Sequence, residues 1–192
     1  MLVAVLSGFG VAIIAPVLSR HAPRVAGWLL SLLPLGLFFF FWGRVQAEES
    51  IEHYAWIPSL GIELSFNGDG LGLLFALLIC GIGYLVTVYS GAYLHDHPLL
   101  GRWYAFLLMF MGSMLGVVLS DNVFSLFVFW ELTSFTSYLL IGFNNEEAQS
   151  REAALQALLV TGMGGLAMLA GLVLLSEGAG TASISGMGAA TG

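Results

Sequence analysis

VFSLFVFWELTSFTSYLLIGF, residues Val123 to Phe143, decides the fold. Apart from one carboxylic acid, Glu131, the stretch contains only apolar, aromatic, small and hydroxylic residues. A bilayer core about 30 Å thick is crossed by about 20 residues of helix, and this run is long enough. No water reaches its backbone there, so a helix, which bonds its own N–H and C=O groups, is the conformation that fits.

Working outward, five further runs meet or approach the same length: Leu2–Leu18, Val25–Trp42, Leu71–Tyr93, Tyr104–Leu119 and Ala153–Leu175. The chain has 192 residues, 58% hydrophobic and 9% charged, with a mean hydropathy of +0.93. That composition excludes an ordinary soluble domain. The expected fold class is an all-α integral membrane protein of about six transmembrane helices. The first apolar run starts at once, with no basic segment before it, and so reads as a membrane helix rather than a secretory signal. Pro34 is expected to kink the second helix.

Five arginines and no lysine leave no basic patch for nucleic acid, which excludes it as a partner. The one cysteine, Cys80, lies in an apolar run and reads as a packing residue. Arg20, His21 and Arg24 lie between the first two runs, His95, His97 and Arg102 between the third and fourth, and Arg151 between the fifth and sixth. The connection between the second and third holds Glu48, Glu49, Glu52 and Glu63, with Arg44 at its edge. Positive-inside counting then puts the arginine-bearing loops in the cytoplasm and both chain ends outside.

The resulting organisation is two spans in residues 1–43, an extracytoplasmic connection over 44–70, four spans over 71–175, and a Gly-rich tail over 176–192 with no seventh helix. Within the connection, IELSFNGDG (Ile62–Gly70) alternates apolar and polar residues before a turn, the pattern of a short hairpin. Asp69 and Asp121 stand where helices three and five begin and read as N-caps. The glycines of GSMLG (Gly112, Gly116) and GMGGLAMLAG (Gly162–Gly171) let helices approach closely. The His95–His97 triplet is a thin ligand set and reads as a solvated turn, as do Glu146, Glu147, Arg151 and Glu152. No cofactor or metal site is expected.

Glu131 is the residue that packing does not explain. It lies about 12 Å below the start of its helix, near mid-membrane. An acidic residue at that depth costs about 2.5–3.5 kcal/mol on insertion scales, and such residues face a bundle interior or a hydrated path. Low dielectric favours the neutral form of a carboxyl, which suits a group that loads and releases a proton. Thr133, Ser134, Thr136, Ser137 and Tyr138 follow at helical spacing and form a supporting polar path. For each hydroxyl alone, bonding the preceding turn's carbonyl or packing against a neighbouring helix is the favoured reading. The structural alternative for Glu131 is a neutral acid bonded to a neighbouring helix.

FWELTSFTSYLLIGF resembles the fifth-helix motif of the antiporter-like membrane subunits shared by respiratory complex I and the multi-subunit Mrp-type Na⁺/H⁺ antiporters. FNGDGLGLLFALLICGIGYLVTVYSGAYL and REAALQALLVTGMGGLAMLAGLVLL are similar to the hairpin with third helix, and to the sixth helix, of the A subunit of the Mrp type. The resemblance implies an incomplete antiporter-like bundle in which Glu131 is the proton-translocating glutamate, working with lysines of later helices that have no counterpart in this sequence. It implies that the chain stops inside the family's five-helix repeat, as an N-terminal fragment, a truncated reading frame or a shortened paralogue. The implied partners are other subunits of a cation antiporter complex, the lipid bilayer, H⁺, and Na⁺ or K⁺/Li⁺; the implied location is the bacterial inner membrane. Two alternatives are a proton-pumping subunit of complex I or a hydrogenase-type complex, and a structural scaffold without transport of its own.

Overall fold

The computed structural model describes residues 1–46, 51–57 and 62–190. Glu48 and Glu49 of the acidic connection lie outside the described residues. In chain order the elements are α1 (Leu2–His21), α2 (Pro23–Arg44), β1 (Ile51–Ile57), β2 (Ile62–Asn67), α3 (Gly70–Tyr93), α4 (Leu100–Leu119), α5 (Val123–Ile141), α6 (Ala148–Ala179) and α7 (Ile184–Ala190). Six of these helices, α1 to α6, are long and apolar enough to cross a membrane.

Local chemistry sets the helix ends. Pro23 occupies the first turn of α2, where its missing N–H costs nothing. Asp69 caps α3 as expected, its Oδ1 accepting from Gly72 N–H at 2.6 Å. Helix α6 ends at Gly180, whose φ of 68° is the left-handed conformation a glycine adopts without strain. The N–H of the next residue, Thr181, turns back to the Ser176 carbonyl at 3.2 Å.

Helix α4 is the centre of the bundle. Tyr104, Leu108 and Leu115 on it are almost wholly buried, and it packs against α1, α3 and α5. Gly8 and Gly112 bring α1 and α4 into backbone contact: a Cβ on Gly8 would lie 2.9 Å from the Leu108 carbonyl oxygen and 3.1 Å from the Gly112 Cα. The small-residue stripe on α4 thus allows the close crossing its sequence suggested. Helix α6 packs chiefly against α5, and only Ala154 and Gly165 of its 32 residues are buried.

The antiparallel hairpin β1–β2 pairs Ile51 with Asn67 through Ala55 with Glu63, with a bulge between Ala55 and Ile57. It sits on one end of the bundle. Phe66 is fully buried with its ring 6.1 Å from that of Phe129. Glu52 accepts from the Met1 ammonium at 2.7 Å and lies 3.4 Å from Arg44. Burial pushes the Glu52 carboxyl up, but the ammonium beside it and the Tyr54 hydroxyl outweigh burial and hold it below its ordinary range.

Four expectations need correction. Helix α6 runs beyond 153–175 at both ends, because the charged turn before Ala153 is itself helix-forming and only Gly180 stops the chain. Arg20, His21 and Arg24 lie within helix ends rather than in a loop, since α1 and α2 are separated by Ala22 alone. Part of the tail is helical: α7 (Ile184–Ala190) is a seven-residue helix, far too short to span. Asp121 does not cap α5. Asn122 does, accepting from Phe124 N–H at 2.9 Å, whereas Asp121 turns to α7 and accepts from Ser185 N–H at 2.8 Å and from the hydroxyls of Ser183 and Ser185, both at 2.9 Å. A carboxylate at the start of α7 meets its free N–H groups and positive dipole end. Backbone bonds from Val123 N–H to Ala182 and from Ile184 N–H to Asp121 complete a clasp between the ends of the α5–α6 pair.

The described arginines segregate, and the acids do not. The end with the hairpin and α7 carries Glu52, Glu63, Asp69, Asp121 and Glu177 with one arginine, Arg44; the opposite end carries Arg20, Arg24, Arg102 and Arg151 together with Asp96, Glu146, Glu147 and Glu152.

Candidate proton site between helices five and six

Glu131 lies in the middle of α5, on the side that meets α6. Its Oε1 is shielded from solvent and has no hydrogen-bond partner among the described residues. The reason it fits is Gly165. A Cβ there would fall on Glu131 Oε1, and would stand 3.3 Å from both Glu131 Cδ and Trp130 Cδ1. The missing side chain of Gly165 therefore forms a slot in the α5–α6 interface that the carboxyl fills. The interhelical hydrogen bond that would make Glu131 merely structural is not formed among the described residues.

The hydroxyls behave differently from one another. Thr133 and Ser134 both donate to the Trp130 carbonyl, at 2.6 and 3.2 Å, and Thr136 donates to Leu132 at 2.7 Å. Their protons are committed to the preceding turn, which leaves their oxygen lone pairs as acceptors. Ser134 and Thr136 are buried, whereas Thr133, Ser137 and Tyr138 are partly exposed. Ser137 and Tyr138 make no side-chain hydrogen bond among the described residues. The five lie on the half of α5 toward the α5–α6 turn, but no chain of hydrogen bonds among the described residues links them to Glu131.

Among the described residues, no group of three or more His, Cys, Asp or Glu side chains gathers as a metal site. His95 pairs with Asp96 at 2.7 Å on the surface. Arg151 donates to the carbonyls of Asn145 and Glu146, at 2.6 and 3.0 Å, and so braces the α5–α6 turn rather than pairing with its carboxylates. Sequence reasoning treated Gly165 as one packing glycine among several, because its partner lies on another helix and no local signal marks it.

Two family models match. One, described as NADH:quinone oxidoreductase/Mrp antiporter, TM, covers residues 120–191, and the other, NADH-Ubiquinone oxidoreductase (complex I), chain 5 N-terminus, covers residues 56–104. The A subunit of the Na(+)/H(+) antiporter of Alkalihalophilus pseudofirmus is 47% identical over 190 residues, 96% of this chain and 24% of the relative. The chain belongs to the antiporter-like membrane subunit family of complex I and the Mrp antiporters. The A1 subunit of the Na(+)/H(+) antiporter of Staphylococcus haemolyticus, another of its relatives, is 44% identical over 170 residues, 86% of this chain and 21% of its own length. The chain thus spans about a quarter or less of the length of these curated relatives, matching their N-terminal part. Within the family, the structure of the Mrp complex from a Dietzia species contains a chain that superposes with a TM-score of 0.87 at 36% identity, over 96% of this chain and 20% of that one. An archaeal respiratory membrane complex, the membrane-bound sulfane sulfur reductase, shares the fold, with a TM-score of 0.73 at 20% identity over 96% of this chain and 38% of that one.

Proposed function

We propose that this chain supplies N-terminal spans of a membrane subunit in a multi-subunit monovalent cation/proton antiporter, with Glu131 as the group that takes up and releases the translocated proton. The observation that carries the reading is the Glu131 carboxyl itself: mid-helix, with one oxygen shielded and unpartnered, and lodged in a slot cleared by Gly165. A carboxyl with a shielded oxygen that has no partner among the described residues is free to exchange its proton with water or with a basic group brought by a neighbouring segment, which a bonded structural acid is not. The Mrp relatives support the antiporter setting.

In this reading the charge on Glu131 biases a basic partner elsewhere in the assembly, and the acceptor lone pairs of Thr133, Ser134 and Thr136, with Ser137 and Tyr138, order the water that serves it. The exchanged cation is Na⁺, K⁺ or Li⁺, and the partners are the other subunits of the complex. The chain is a transporter component, not a cofactor-bearing enzyme. It lies in the bacterial inner membrane with Met1 and α7 outside, as the arginine-rich end then faces the cytoplasm. Reporters fused after Arg20 and after Glu146 should both read cytoplasmic; an external signal at either would reverse the orientation.

The deciding experiment is Glu131→Gln in the complete complex. The amide keeps shape and hydrogen bonding but cannot release a proton at physiological pH, so cation-driven proton movement in vesicles should be lost while the complex still assembles. Unchanged antiport would promote the scaffold alternative. A second reading, a proton-pumping subunit of complex I or a related complex, is favoured by the two matching family models, both of which include complex I proteins. Adjoining genes discriminate: small antiporter subunits in a row support the first, redox dehydrogenase subunits the second.

A further inference from the structure

The arginine-rich end of the bundle holds a feature unrelated to Glu131. The end of α1, the start of α2, the turn before α4 and the first turn of α4 enclose a cavity of about 410 Å³ lined by Ser19, Arg20, His95, His97 and Arg102 among prolines and leucines. Among the described residues, no carboxylate lines it. In a chain of net charge −7 with only five Lys and Arg residues, two arginines on one cavity are a marked concentration of positive charge, and His95 and His97 stand beside them. Asp96, beside the cavity in sequence, is engaged by His95.

The donors there lack acceptors. Helix α4 begins without a side-chain cap; its Leu100 N–H donates to the His97 carbonyl at 3.1 Å, and the N–H groups of Gly101 and Arg102, with the positive end of the dipole, stand at the cavity. His97 Nδ1 accepts from Leu99 N–H at 3.2 Å, which leaves Nε2 as the ring's donor. Ser19, a lining residue, is only 8% exposed, and its shielded hydroxyl has no partner among the described residues. Arg102 is held in place: it donates to the Phe143 carbonyl at 2.8 Å and lies 5.3 Å from the centroid of the Phe143 ring, yet its Nε finds no acceptor among the described residues.

We propose that this cavity binds a phosphate group, and that the phosphate belongs to the headgroup of an anionic phospholipid. Arginine, imidazole N–H, a hydroxyl and an open helix N-terminus are the donor set that phosphate oxygens satisfy. The lipid is the favoured source because the cavity lies at the ends of helices long and apolar enough to cross a membrane, where headgroups sit, and Val17, next in sequence to the lining residue Pro16, is 58% exposed. Basic pockets between helices at such a level take anionic headgroups. This site does not depend on the antiporter reading.

The test is native mass spectrometry of the full chain released from micelles doped with phosphatidylglycerol, phosphatidylcholine or inorganic phosphate, with melting temperatures in each. One phosphatidylglycerol should be retained per chain at about tenfold lower concentration than phosphatidylcholine, and Arg20→Gln should remove about that preference. Ser19→Ala should weaken phosphatidylglycerol retention while leaving the melting temperature in phosphatidylcholine unchanged or higher, since it deletes an unpartnered hydroxyl. Arg20 and Ser19 decide the matter because Arg102 also ties down Phe143. Equal retention of the two lipids, or retention unaffected by both variants, overturns the site. Stabilisation by inorganic phosphate equal to that by phosphatidylglycerol overturns the lipid assignment in favour of a free anion.

Discussion

Gly165→Ala tests the slot between α5 and α6 without touching the carboxyl chemistry. The new methyl would overlap Glu131 Oε1 and press on Glu131 Cδ and Trp130 Cδ1 at 3.3 Å, inside the roughly 3.5–4.0 Å at which carbon atoms attract. Two responses are open. Helix α6 can move out, at the cost of about 1–3 kcal/mol that overpacking carries, or the carboxyl can leave its rotamer, for about 0.5–1.5 kcal/mol. Either way most of the penalty originates at the carboxyl. A double-mutant cycle with Glu131→Ala, read as unfolding free energies in mixed micelles, should show Gly165→Ala costing about 1 kcal/mol less in the Glu131→Ala background. Trp130 keeps the residual cost above zero. Additivity of the two changes to within about 0.3–0.5 kcal/mol would refute the claim that Gly165 makes room for Glu131.

Gly8→Ala, whose Cβ meets the backbones of Leu108 and Gly112 rather than a side chain that can turn away, should destabilise the α1–α4 contact by about 1–3 kcal/mol, seen as a lower melting temperature. The Glu52 carboxyl is held below its usual range, so its contribution is present above the unfolded value of about 4.3 and lost as pH falls through the folded one. Protection of the β1 and β2 amides, corrected for the intrinsic pH dependence of exchange, should therefore fall as the pH drops through and below the ordinary carboxylate range, and Glu52→Gln should show the reduced protection already at neutral pH. Asp121→Ala strips three bonds from the start of α7 and should cost about 1–3 kcal/mol locally, exposing residues 181–190 to limited proteolysis; Asp121→Asn, which keeps one acceptor oxygen, should protect them in part.

The spans were legible in the sequence because hydrocarbon imposes one rule over a whole segment, and VFSLFVFWELTSFTSYLLIGF obeys it except at Glu131. The hairpin and the Asp69 cap were legible because their partners are near in sequence. Asp121 was misassigned for the opposite reason: a carboxylate next to a helix start invites a local cap, and its actual donors lie 62 and 64 residues further on. The length of α6 was missed because hydropathy marks only the part that lipid would cover. For the hydroxyls after Glu131, spacing identified a face, and the reading favoured for each alone, bonding to the preceding turn's carbonyl, is what Thr133, Ser134 and Thr136 do.

The Asp121 clasp turns α5, the α5–α6 turn and α6 into a closed ring of non-covalent links. The Arg151-braced turn fastens one end and the Ser183 and Ser185 bonds the other, with Glu131 and Gly165 facing each other about midway. A loop already closed by its clasp has given up the entropy of bringing its ends together, and two rods pinned at both ends can roll against each other far more easily than they can gape. Access to the carboxyl is then a matter of torsion: a small counter-rotation of the pair would carry Oε1 out of the glycine slot while neither end of the ring opens.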